Sequence, residues 1–176
     1  MDLFQAIRAR RSIRRFKAGE RVEPGHLEAI LEAARLAPSA KNLQPWFFVV
    51  VRDPDRKRAL ARAARKQWFL ADADVVIVGL SDPRRSPRWH DKDIMIALEH
   101  MVLAATALGY GSCWIGALDK EEVKRIVRAP EELEVVALLA IGVPDEEPPP
   151  RPRKPLEEFV FSEEYGRPWH PRGPAL

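Results

Sequence analysis

One cysteine, Cys113, is all the thiol chemistry in this 176-residue chain, so no internal disulfide can form and an oxidising compartment gains no support. In apolar surroundings such a thiol acts as a small buried hydrophobe. No apolar run approaches the ~20 residues that a membrane-spanning helix needs. Met1 leads into Asp2 and an amphipathic stretch rather than a basic and then apolar leader, so the expectation is a cytoplasmic protein without a membrane partner. The histidines, His26, His90, His100 and His170, show no metal-ligand spacing with the cysteine, and no nucleophile elbow is present. Neither a metal site nor hydrolytic machinery is expected. Asn42 is the sole asparagine and Thr106 the sole threonine, while prolines number 16 and arginine outnumbers lysine. Scarce thermolabile amides and abundant charge point to a thermophilic source.

What is present describes a globular protein. The hydrophobic share is 46% and the charged share 31%, and a chain of this length is read as one domain, residues 1–176, with a sizeable core. Net charge is only +3 and both signs are interspersed, so a nucleic-acid partner is not expected.

The spacing predicts a first helix from Asp2 to about Arg11 with Leu3, Phe4 and Ile7 on its inner face. A second helix opens at Glu23 and Pro24, places Leu27, Ile30, Leu31 and Ala34 at core spacing, and stops at Pro38. Trp46 to Val51 is apolar on both faces and reads as a central strand; a basic helix from Asp53 to about Lys66 follows. Val75 to Leu80 is a second buried strand, and the polar segment Ser81 to Trp89 a surface loop. The longest helix runs from about Asp91 to Leu108, with Asp91 and Asp93 as solvated acids near its positive end. His100 is a packing residue on it. Asp119 and Glu122 open a short helix to Val127, and Val135 to Ile141 is a third strand ending at Gly142. From residue 145 to 176 the proline-rich composition predicts an extended arm, with a strand-like piece at Leu156 to Phe161.

The chemistry concentrates in a few stretches. Arg10, Arg11, Ser12 and Arg14 crowd three guanidiniums and a hydroxyl into five residues. On a helix Arg10 and Arg14 are i, i+4 neighbours; on an extended chain they share a side with Ser12. Either arrangement suits a dianionic monophosphate, which planar guanidinium forks grip in bidentate fashion. Taken alone, these residues read first as a solvated basic face. Gly109, Gly111 and Gly116 do not follow a strand and open a helix, so they fail the dinucleotide fingerprint. They bring backbone close to a flat ligand or make a tight turn.

Four blocks, "RRSIRRF", "APSAKNLQPWFFVVV", "LGYGSCWIGAL" and "RPRKP", stand in this order along most of the chain. Together they resemble the FMN-dependent nitroreductase family. The resemblance implies an α+β fold, a mixed β-sheet flanked by helices, in an intertwined homodimer with C-terminal arm exchange and two FMN sites at the interface. It implies that Arg10, Arg11, Ser12 and Arg14, joined by Arg151 and Arg153 of the arm, hold the FMN phosphate. Pro38, Ser39, Ala40 and Asn42 would come from the second subunit to the ring and ribityl chain; many relatives have a serine where Ala40 stands. Gln67 would meet the pyrimidine edge, Ile115, Gly116 and Ala117 would lie beside the ring, and Trp68, Phe69, Trp89 and Trp114 would wall the pocket. The implied activity is ping-pong hydride transfer from NADH or NADPH to a nitroaromatic, quinone or similar acceptor. Reductive dehalogenation, enoate reduction and flavin storage without turnover are the alternatives. No side chain is expected to be catalytic, because the isoalloxazine ring carries the chemistry.

Overall fold

Asp2 starts the first helix: its carboxylate accepts from Gln5 N at 2.8 Å, and the Gln5 side chain accepts from Asp2 N at 2.9 Å. This reciprocal cap opens α1 (Leu3–Ala9). A computed structural model describes residues 1–169, so His170 and the end of the expected arm lie outside the described residues. Pro24, suited to a first turn, opens α2 (Pro24–Arg35). Then follow β1 (Trp46–Val51), α3 (Pro54–Ala63), α4 (Phe69–Asp72), β2 (Val75–Ser81), α5 (His90–Ala107), β3 (Gly111–Ile115), α6 (Lys120–Val127) and β4 (Glu134–Gly142).

The strands form one sheet in the order β1-β2-β4-β3, every named pair antiparallel. A parallel bridge, Ser12 to Ser112, extends it beyond β3. Alternation along the central strands decides which helices cover which face. Val75, Ile77, Leu139 and Ile141 pack with Ile30 of α2 and Ile94, Leu98 and Met101 of α5. Val76, Val78, Leu138 and Ala140 pack with Leu60 of α3, Leu70 of α4 and Val123 of α6. The result is an α+β architecture with a sheet between two helical layers.

Four expectations change. Trp46–Val51 is an edge strand rather than a central one, since no strand among the described residues pairs with its outer side. Leu3, Phe4 and Ile7 point out of the protomer at 60%, 67% and 50% exposure, leaving Ala6 as the buried residue of α1. Periodicity reveals an apolar face, but not what covers it. The glycine-rich segment contains β3, whose five residues are too few for alternation to show. Leu156 begins a 3-10 turn, Leu156–Glu158, rather than a strand, its Phe159 N–H donating to Leu156 O at 3.1 Å.

Two glycines let the segment after α1 lie against the sheet. A Cβ at Gly111 would meet Ile13 Cγ1, Cβ and Cγ2 at 2.8–2.9 Å, and one at Gly142 would meet Phe16 Cδ1 at 3.0 Å and Asp74 N at 3.1 Å. Ile13 N donates to Ser112 O at 2.9 Å and Lys17 N to Val143 O at 3.0 Å, so backbone bonds seal this approach. Replacing Gly111 by Ala is expected to cost ~1–3 kcal/mol of stability through overpacking. Combined with Ile13→Ala, which removes Cγ1 and Cγ2, the loss is expected to be smaller than the sum of the two single losses in a thermal or denaturant melt.

Candidate functional site

The end of α1 leaves carbonyls unpaired, and Arg11 turns back to them: its Nη1 donates to Arg8 O at 2.7 Å and Arg10 O at 2.8 Å. Beyond Arg10, whose backbone is already out of the helix at φ −51 and ψ 128, the chain runs along the edge of β3. Of the two arrangements open to Arg10 and Arg14, the non-helical one is realised.

The arm meets this segment from the opposite end of the chain. Phe16 pairs with Pro144, Asp145 N donates to Arg15 O at 2.9 Å, and Arg15 Nε donates to Asp145 O at 2.6 Å. Glu146 completes the attachment. Its Oε1 accepts from Arg14 N at 2.5 Å and Arg15 N at 3.1 Å, across 132 and 131 positions. A cavity of about 290 Å³ results, lined by Arg10, Arg11, Ser12, Arg14, Arg151 and Arg153 together with Glu146, Pro148 and Pro149. Five guanidiniums thus face one carboxylate, and that carboxylate is held by backbone N–H groups. Among the described residues, Arg11 Nε is the buried side-chain polar atom with no hydrogen-bond partner, a vacancy that an anion's oxygen suits.

Cys113 lies beneath this charge, buried, its Sγ against Trp114 O at 3.5 Å. Burial pushes its thiol up from the ordinary range; Arg14 opposes that shift, Glu146 adds to it and Arg10 opposes it more weakly. A neutral thiol under the site is the outcome, with little nucleophilic character.

The remaining expected residues stand elsewhere. Ile115 is buried at the end of β3, with Gly116 and Ala117 exposed just beyond it. Gly116 lies four positions beyond Ser112, a reach of roughly 13 Å at ~3.3 Å per residue. That distance leaves room for a chain between an anionic end and a flat ring. Pro38, Ser39, Ala40, Asn42 and Gln67 do not line the cavity. Gln67 lies in the turn between α3 and α4, after left-handed Arg65 and Lys66, with its N–H donating to Ala64 O at 3.2 Å. Of the aromatic residues, Trp68 and Trp89 are about half exposed. Phe69 packs against the core, and Trp114 Nε1 donates to Glu99 Oε2 at 3.1 Å. His100 Nδ1 lies 3.1 Å from Ala33 O, a packing contact between α5 and α2. No group of three or more His, Cys, Asp or Glu side chains among the described residues is placed to hold a metal ion. No helix there is long and apolar enough to cross a membrane.

Two functional candidates escaped sequence reasoning. Glu146 is one acid in a proline-rich tract, and nothing in a linear pattern pairs it with two distant backbone N–H groups. Asp93 is no solvated acid: it is 1% exposed, and its Oδ1 accepts from Ala40 N at 3.0 Å. Its position among the apolar residues of α5 was the available signal.

Comparison with known proteins bears on this geometry. The model of the nitroreductase family matches residues 7–82 and 64–143. An NADH dehydrogenase of Thermus thermophilus is 36% identical, over 92% of this chain and 96% of its own. The structure of an FMN-dependent nitroreductase from Clostridium difficile superimposes with a TM-score of 0.85 at 31% identity, over 92% of this chain and 99% of that one. An NADPH:FMN oxidoreductase from Vibrio harveyi, complexed with NAD+, gives 0.86 at 27% identity, over 94% of this chain and 78% of that one. With the family's pattern spread over most of its length and the family's fold around its arginine-lined cavity, this chain belongs to the nitroreductase family.

Proposed function

We propose that the protein is a homodimeric FMN-dependent oxidoreductase that passes hydride from NADH or NADPH to a small acceptor, a nitroaromatic, quinone or similar molecule, in a ping-pong cycle. The observation that carries this reading is the meeting of Arg10, Ser12 and Arg14 with Arg151 and Arg153 around one cavity in a chain of this family. When bound, FMN would supply a ring that takes hydride from the nicotinamide and yields it to the acceptor, both using one open face in turn.

The residues present fit that group. The arginines, with Ser12, would bind the phosphate, and each hydrogen bond to a charged oxygen contributes ~1.5–3 kcal/mol net. Arg11 would serve with Nε while its Nη1 stays on the α1 carbonyls. Glu146 would orient the backbone of Arg14 and hold the arm so that Arg151 and Arg153 stay beside the site. Gly116 and Ala117, with no bulky side chains, would let the ring lie close to the chain beyond β3. Exposed apolar residues on α1, Leu3, Phe4 and Ile7, supply a surface for a second copy. The loop from Pro38 to Asn42, which does not line its own protomer's cavity, would reach the site of the partner. Gln67 would face the pyrimidine edge.

The purified protein is expected to carry a flavin absorption band that bleaches on anaerobic addition of NADH or NADPH and returns on adding a quinone or nitroaromatic. Colour that persists with both donors would instead mark a flavin-storage protein. Reversing the charge at Arg14 and Arg153 to Glu is expected to weaken FMN binding at least about a hundredfold, since two charge-assisted bonds are lost. Equilibrium dialysis measures that change, and unaltered affinity would refute the phosphate assignment. Glu146→Ala is expected to cost about tenfold in the same assay, with Glu146→Gln between it and wild type because an amide oxygen still accepts.

A further inference from the structure

The chain between α2 and β1 adopts a conformation that its sequence does not favour. Lys41, Asn42 and Gln44 have φ of +52°, +56° and +48°, the left-handed region, where a Cβ crowds the backbone and only Asn is readily tolerated. Such a segment persists when its surroundings over-determine it. Most of its bonds are internal: Asn42 N donates to Ser39 O at 2.9 Å, Leu43 N to Ala40 O at 3.0 Å, and Gln44 N to Ser39 Oγ at 3.0 Å. These shape the loop without attaching it to anything. At its far end Asp82 N donates to Pro45 O at 2.8 Å. At its near end the attachment is Ala40 N to Asp93 Oδ1.

Asp93 is suited to that task. It lies in the first turns of α5, where the helix end favours negative charge. Its second oxygen accepts from Ser86 Oγ at 3.4 Å, and Ser86 is itself buried. One turn earlier His90 Nδ1 lies 2.8 Å from Ser81 Oγ, which fastens the start of α5 to the end of β2. A buried carboxylate is unfavourable without partners, and here its best partner is the loop's N–H.

We infer that Asp93 is a positioning residue: it holds Ser39, Ala40 and Asn42 in the shape in which they meet the flavin ring and ribityl chain, without touching the flavin itself. The inference rests on the proposed flavin reading and adds a residue to it. It assigns the loop's geometry to a side chain 53 positions further along the chain. Because the loop lies away from the arginine cavity, Asp93 acts on binding of the ring and chain and leaves phosphate binding alone.

Riboflavin, which lacks the phosphate, and inorganic phosphate separate the two halves of the site. Each is titrated calorimetrically into wild type, Asp93→Ala and Asp93→Asn. Asp93→Ala is expected to bind riboflavin about tenfold more weakly, the equivalent of one hydrogen bond to a charged group, and phosphate as wild type does. Asp93→Asn, whose amide oxygen still accepts from Ala40 N, is expected to recover most of the riboflavin affinity. Riboflavin bound equally by wild type and Asp93→Ala overturns the inference alone. A parallel fall in riboflavin and phosphate binding also overturns it, since that marks general damage to the fold. A wild-type protein that binds no flavin overturns the inference together with the reading beneath it.

Discussion

The close approach of residues 12–17 to the end of the β3–β4 pair is the constraint on which the site depends. It requires that positions 111 and 142 have no Cβ, because Ile13 and Phe16 occupy the space where those atoms would stand. Given that freedom, the backbone bonds of Ile13 and Lys17 hold the basic segment at fixed height against the sheet. Arg10, Ser12 and Arg14 then project from a segment bonded to the edge of the sheet. Pre-organised donors of this kind bind an anion without first losing conformational freedom.

The second half of the cavity comes from the other end of the chain, and here the type of interaction matters more than the count of charges. The Arg15–Asp145 ion pair is exposed, at 67% and 52% for the two side chains, and pairs of that kind contribute little. Glu146 works differently. By accepting from two successive backbone N–H groups its carboxylate ties the arm to the main chain of the basic segment, and it partly offsets five neighbouring guanidinium charges. Without such an anion, repulsion among like charges would weaken the arm's hold on the site.

The same economy explains the exposed apolar surface. Among the described residues, a protomer with Leu3, Phe4 and Ile7 in solvent and no strand on the outer side of β1 presents unburied hydrophobic area and unpaired backbone groups together. Both are liabilities in an isolated chain. The apolar face of α1 is an asset where a second copy covers it, which is the arrangement proposed for the functional dimer. The loop held by Asp93 belongs to this outward-facing set, a strained segment with its anchor buried in its own protomer.

Local pattern was enough for most of the helices, for β2 and β4 and for the arginine motif, because cap residues, 3.6-residue periodicity and β-branched runs act over a few neighbours. Glu23 and Pro24, Asp119 and the apolar face of α5 all lie where their spacing implied. The edge position of β1, the outward face of α1, the strand at Gly111 and the burial of Asp93 were not legible, since each depends on what lies opposite in space. By itself the sequence determined the elements, the fold family and the residue types able to grip a phosphate. The family resemblance already implied that Arg151 and Arg153 join Arg10 and Arg14, and all four line one cavity; only the tertiary structure decided that Glu146 and Asp93 hold the parts in place. Those contacts join groups dozens to more than a hundred residues apart, and hydrogen bonds of that range leave no periodic trace in a linear chain.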